Sequence, residues 1–303
     1  STTKGIAATV VHRLAERGLL DYDRPVADYW PEFGAHGKGG ITLRHALNHT
    51  AGLPFMPRGI THADLGDWDK MCAAIADLEP SSPPGAQMSY HAVTYSWTVG
   101  EAACRVTGRS FNELVEEEVC APLAITDLFV GLPDTLQSGV AILGDAAAAA
   151  GNPPPADDGT PQVIPTLMQP LHEWMNRPDI RRACIPASNG IMTARAIARH
   201  YAALLPGGFE GVELLPASRV QVATQRQYPS NPRKDDAPMN QALGYQLGFY
   251  ASVPGAFGHG GYGGSMGFAD PESRLAIGFT RNYFAHPSPV ERIVSALLGM
   301  REK

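Results

Sequence analysis

Helical and extended patterns fall in different parts of this chain, and that segregation limits its fold more than any other feature. Residues 1–125 read mainly as helices. From 243 onward the texture becomes short apolar runs broken by glycine and proline: Leu243–Ser252, Ala256–His259, Ser265–Asp270 and Arg274–Asn282. Asp270-Pro271-Glu272-Ser273 signals a hairpin turn, and Val290–Met300 a closing helix. Three or four antiparallel strands after a helical majority predict an α+β fold. No fixed-period repeat is present.

The first helix carries apolar residues at Ile6, Ala7, Val10, Val11 and Leu14, close to the spacing of one buried stripe. His12, Arg13, Glu16 and Arg17 fill the polar positions, and Gly18 supplies the stop. Further helices are expected at 42–49 with Thr42 as cap, and around 62–78, 93–106, 110–120 and 193–205. Gly144–Pro165 is low in complexity and reads as a surface loop. Beyond it, Leu167, Met168, Leu171, Trp174 and Met175 form either a lid over a pocket or a helix packed on the core.

At 303 residues, 44 % hydrophobic and 18 % charged, the chain has material for a large core. A net charge of −6 without a basic run argues against nucleic acid as partner. No apolar run is long enough to span a membrane. Cys72, Cys104, Cys120 and Cys184 lack metal-site or disulfide spacing and read as free thiols. No His/Asp/Glu cluster has metal-ligand spacing, so neither a metal nor a cofactor is expected.

The chemistry begins at Ser1-Thr2-Thr3-Lys4. Three residues apart on a helix, Ser1 and Lys4 share a face, and a lysine amine there can reach a serine hydroxyl. Such S-x-x-K pairs serve acyl-enzymes. The plainer alternative makes Ser1 an N-cap and Lys4 a solvated first-turn residue. Tyr90 lies between Pro84-Gly85 and a helix start, where a side chain can project into a cleft. Near an ammonium its pKa would fall, suiting it to act as a base. In Phe257–Ser265, glycines flank His259 and free the backbone to approach a ligand. Ile41–Pro54 offers no obvious chemistry. His45 and His49 within it read as structural, and Asn189 as a cap or turn residue.

Taken together, Ser1-x-x-Lys4, Ile41–Pro54, Pro84-Gly85 before Tyr90, and His259-Gly260-Gly261 resemble the serine β-lactamase and penicillin-binding-protein superfamily, most closely its class C-like branch with family VIII esterases. Leu14–Val26 and Pro122-Leu123 with Thr126-Asp127 fit as well, so the resemblance runs from residue 1 to about 282. It implies a β-lactamase/transpeptidase-like α+β fold: an antiparallel sheet flanked by helices, plus an all-α lobe. One catalytic domain would cover 1–303, with the helical lobe mostly within 20–200 and the sheet lobe from 1–18 and 243–303.

By the same resemblance Ser1 is the nucleophile, Lys4 its proton partner, and Tyr90, first residue of a Y-x-N motif, the general base and acid. His259-Gly260-Gly261 takes the K-T-G or H-x-G place and positions substrate. The backbone N–H groups of Ser1 and Tyr262 bind the oxyanion. Two departures matter. Ala92 replaces the Asn that holds an acylamide, and His259-Gly260 replace the Lys-Thr that grip a β-lactam carboxylate. The expectation is therefore a serine hydrolase of small-molecule carboxylic esters, or an esterase-like acyltransferase, working without a cofactor. A D-stereospecific amidase or carboxypeptidase, a weak β-lactamase, and a non-catalytic ligand-binding relative are the alternatives. Pocket walls are expected from Gly144–Asn176, Phe55–Ile60 and Arg226–Asn240. Because family members carry strands ahead of the serine, Ser1 is expected not to be the natural first residue. N-terminal strands would be missing from this chain, and a preceding segment of the same precursor would supply them. Compartment is left open, with the cytoplasm favoured and a targeting segment allowed for.

Overall fold

The computed structural model describes residues 1–151, 159–227, 240–285 and 287–301. Its first half is helical: α1 (Thr3–Glu16), α2 (Leu43–Leu47), α3 (His62–Leu65), α4 (Trp68–Ala76), α5 (Tyr95–Thr107) and α6 (Phe111–Val115). Then come β1 (Leu128–Phe129), β2 (Gly144–Asp145), α7 (Ala146–Ala149), α8 (Leu171–Asn176), α9 (Pro178–Arg182), β3 (Ile191–Met192), α10 (Ala194–Ala202) and α11 (Ala217–Ala223). The chain ends in β4 (Gln246–Leu247), β5 (Phe257–Gly260), β6 (Met266–Asp270), β7 (Leu275–Phe279), β8 (Tyr283–Phe284) and α12 (Val290–Arg301).

Strands β4 to β7 form one antiparallel sheet in sequence order. The β6–β7 register pairs Phe268 with Ile277 and Asp270 with Leu275. Asp270 Oδ2 closes that hairpin by accepting from Ser273 N at 2.9 Å. The sheet is covered on both faces. Glycines admit α10 on one: a Cβ at Gly267 would lie 2.3 Å from Ile197, and one at Gly278 2.1 Å from the Ala194 carbonyl. On the other, Phe268, Leu275 and Ile277 pack with Val290 and Val294 of α12.

Helix α1 is the central column. Ile6, Val10, Val11 and Leu14 join one core with α5, α10, α11 and β5. The sequence suggests a single apolar stripe, but α1 is buried all round from Thr3 to His12, so the polar residues there must be paired internally. His12, expected at the surface, is fully buried and bonds the Tyr22 hydroxyl at 2.7 Å and the Leu243 carbonyl at 2.9 Å. Thr9 Oγ1 lies 2.7 Å from His200 Nε2 and 2.6 Å from the Tyr245 hydroxyl.

Several boundaries differ from expectation for local reasons. The helix expected over 62–78 is two, because Asp67 caps a fresh start by accepting from Lys70 N at 3.0 Å. The strand expected over 243–252 shrinks to two residues between Gly244 and Gly248, both in left-handed conformation. The Gly144–Pro165 loop opens with a strand: β2 pairs in parallel with β8, and Asp145 caps α7. Residues 152–158 of that segment lie outside the described residues. No helix among the described residues is long and apolar enough to cross a membrane. The four cysteines are unpaired thiols.

Gly5 supplies a sharp packing test. An added Cβ would stand 2.0 Å from the Tyr201 hydroxyl oxygen. Alanine's helix propensity would favour Gly5→Ala by about 1 kcal/mol. Overpacking against a fully buried Tyr201 costs about 1–3 kcal/mol and wins. The expected result is a lower denaturation midpoint; an equal or higher one contradicts the packing.

Candidate active site

The N-cap of α1 is Thr2, with no side-chain cap bond, so Ser1 is not spent on capping. Lys4 is not a solvated first-turn residue either: it is fully buried. Its Nζ donates to the Ala92 carbonyl at 2.7 Å and the Ala187 carbonyl at 2.9 Å, and stands 3.4 Å from Ser1 Oγ. It forms no ion pair among the described residues. Burial therefore holds its pKa well below the usual lysine range. A neutral amine has two N–H groups and one lone pair. With both N–H groups taken by carbonyls, the lone pair is left for the serine.

The Tyr90 ring sits under Lys4, with Nζ 4.8 Å from its centroid. Its phenol is pushed up by burial, and hydrogen bonding to Ser1 opposes that rise. This reverses the expected direction. A nearby ammonium would have lowered the phenol, but burial pushes Lys4 toward its neutral form.

The turn at 48–53, which showed no chemistry in the sequence, moulds the loop that carries Tyr90. Gly85 N donates to the Thr50 carbonyl at 3.0 Å and Ser89 N to the His49 carbonyl at 3.0 Å. His91 N donates to His49 Nδ1 at 3.2 Å, and Leu53 N to His91 Nε2 at 2.9 Å. His49 adopts φ 64°, and its ring lies 4.6 Å from that of Tyr90. Two histidines 42 positions apart give no local signal of this contact.

His259, on β5, is buried and donates from Nδ1 to the Gly260 carbonyl at 2.7 Å. Burial and the adjoining Lys4 keep it well below the usual histidine range. Its ring lies 6.3 Å from that of Tyr90, and neither side chain is part of the cavity lining. Buried, and with Nδ1 committed to the backbone, the imidazole is poorly placed to grip a substrate carboxylate. Gly261 and Tyr262 do reach the cavity, whereas Gly260 does not. The turn they form rests on the helix start: Gly261 N donates to the Ser265 carbonyl at 2.8 Å, and a Cβ at 261 would stand 2.9 Å from Thr2 Oγ1.

Ser1 opens onto a cavity of about 820 Å³. Its walls are mainly apolar, with Leu143, Met168, Leu171, Met175 and Phe284 prominent. The 167–175 cluster packs into the helical core, and Met168, Leu171 and Met175 also line the cavity. Ala92 presents a methyl where the resemblance expects an amide. Phe55–Ile60 does not reach the cavity, and residues 228–239 lie outside the described residues. Segments 126–143 and 188–197 supply walls that were not anticipated.

Asn189 lines the cavity but is spent on the backbone. It accepts from Ile185 N at 3.0 Å and donates to the Ile180 and Ala183 carbonyls at 2.7 and 2.6 Å. Asn189→Ala strands three buried groups and is expected to cost about 2–4 kcal/mol in urea denaturation. A change under about 0.5 kcal/mol contradicts that role.

The model of the beta-lactamase family matches residues 1–298. The chain belongs to the beta-lactamase family. It is 36 % identical to the esterase/beta-lactamase LipL of Mycobacterium tuberculosis, over 95 % of this chain and 69 % of that protein. The crystal structure of a family VIII carboxylesterase superposes with a TM-score of 0.84 at 36 % identity, covering 98 % of this chain and 82 % of the other. A penicillin-binding-protein homologue from Caulobacter crescentus gives 0.78 at 33 % identity, covering 95 % and 77 %. The β-lactamase/transpeptidase-like α+β fold is thereby established.

Proposed function

We propose that the protein is a serine hydrolase that cleaves small-molecule carboxylic esters through an acyl-enzyme on Ser1, as one catalytic domain of two lobes. One observation carries this reading: a buried, carboxylate-free lysine amine 3.4 Å from a serine hydroxyl at the mouth of an apolar cavity. Ser1 Oγ adds to the ester carbonyl carbon while its proton passes to Lys4 Nζ. The negative oxygen is assigned to the backbone N–H groups of Ser1 and Tyr262. As the C–O bond to the alcohol breaks, the Tyr90 hydroxyl gives that oxygen its proton and Lys4 replaces it. Water then adds to the acyl carbonyl, loses a proton to the same pair, and returns Ser1 to its hydroxyl form.

The ester preference follows from what the site lacks. Ala92 offers no amide for an acylamide side chain, and His259 is buried off the cavity lining. LipL and the family VIII carboxylesterase support the same reading. The test is a burst of p-nitrophenol from a p-nitrophenyl ester, run beside nitrocefin and a D-alanyl peptide. Faster turnover of either comparison substrate overturns the ester preference. The apolar walls also favour acyl transfer to an alcohol acceptor. Added butanol should then divert acyl groups from acid to ester.

A further inference from the structure

Six arginines among the described residues have buried or half-buried side chains: Arg13, Arg44, Arg181, Arg199, Arg219 and Arg281. Four of them contact carboxylates: Arg13 with Glu118, Arg44 with Asp23, Arg199 with Glu210 and Arg219 with Glu16. The other two, Arg181 and Arg281, have no ion pair among the described residues, and both line the cavity beside Ser1.

Arg181 is the sharper case. It lies on α9 and is only 6 % exposed. Nη2 donates to Asn176 Oδ1 at 3.2 Å. Among the described residues its other side-chain N–H groups have no protein partner, yet they are not among the buried polar atoms sealed from solvent. They therefore open onto the cavity. Burial lowers the guanidinium pKa and no carboxylate raises it. Arg281 uses Nη1 on the Ala285 carbonyl at 2.9 Å, and its remaining side-chain donors have no partner among the described residues. The carboxylate on the same lining, Asp127, is occupied by the Thr193 hydroxyl at 2.6 Å and pairs with neither arginine. A buried cation without a counter-ion is costly unless something supplies one. An Arg fork favours a planar carboxylate.

We propose that the cavity selects esters whose largely apolar body carries a carboxylate, bound by Arg181 with Arg281 as a second positive group. This rests on the ester-hydrolase reading, and it places anion recognition on α9 and after β7 instead of on the His259 triplet.

The experiment reads binding without turnover, by calorimetry on the Ser1→Ala chain. The probes are N-phenylglutaramate, which is anionic, and N-phenylpentanamide, its neutral counterpart. The anion should bind about tenfold or more tightly. That preference should shrink in Arg181→Gln, persist in part in Arg181→Lys, and fall to within about twofold in the Arg181→Gln/Arg281→Gln double variant. Equal binding of the two probes, or a preference that survives the double variant, overturns the proposal. If Arg181→Gln does not fold, Arg181→Lys and Arg281→Gln decide, because loss of preference in neither also overturns it. Absence of ester turnover by the unsubstituted chain would sink the hydrolase reading while leaving this binding result standing.

Discussion

Replacing Ser1 with alanine is expected to lower kcat for a p-nitrophenyl ester by about 10³-fold or more, with the denaturation midpoint unchanged. The serine hydroxyl does no capping in α1. Its loss therefore removes the nucleophile without unpicking the fold. Labelling by a fluorophosphonate should vanish with the activity. Tyr90→Phe keeps the ring under Lys4 and removes only the hydroxyl, so a fall of about 10²–10⁴ in kcat with KM little altered is expected. Retention of full turnover by both variants would falsify the Ser1 mechanism. Lysine is the poorer probe. Removing Lys4 leaves the buried Ala92 and Ala187 carbonyls without a donor, mixing stability with chemistry.

The second large effect is acid sensitivity. Burial lowers the pKa of His12 from 6.5 to about 3, that of His200 to about 3 and that of His91 to about 4. In the unfolded chain each titrates near its ordinary value. Between that value and the folded one the unfolded state holds more protons, so stability falls as pH falls. It is fully present above about pH 6.5 and declines toward pH 4. Each histidine contributes about 1.4 kcal/mol per pH unit within that window. Three of them withdraw on the order of 6 kcal/mol by pH 5, comparable with the whole stability of an ordinary domain. Urea denaturation at pH 7.5, 6 and 5 should show this decline, and His12→Gln should flatten it by about one proton. A midpoint that holds steady down to pH 4.5 would refute it.

Much of the scaffold was legible because it is local. The Thr42 cap, the Gly18 stop and the Asp270–Ser273 turn all act within one turn of chain, and each stands where sequence places it. Ladders of two residues were not legible. Leu128-Phe129 against Ile191-Met192 is too short for any alternation to register. The histidine mould around Tyr90 escaped for another reason: His49 reads as one polar residue in a helix-ending turn, and only folding sets it on the tyrosine ring. Asn189 reads from sequence as a cap or turn residue, and in the fold it makes three bonds to the backbone of 180–185.

The sequence by itself determined the segregation of helices from sheet, the family, and which residue types stand at each motif. Those follow from periodicity, spacing and side-chain chemistry, which the chain carries locally. Tertiary structure alone decided the chemical state of those residues. Lys4 is held by carbonyls 88 and 183 residues away, Tyr90 is raised where an ammonium would have lowered it, and His259 is buried off the cavity lining. Arg181, silent in the sequence, became a cavity cation. Desolvation and pairing depend on what packs around a group, and no spacing along the chain encodes that.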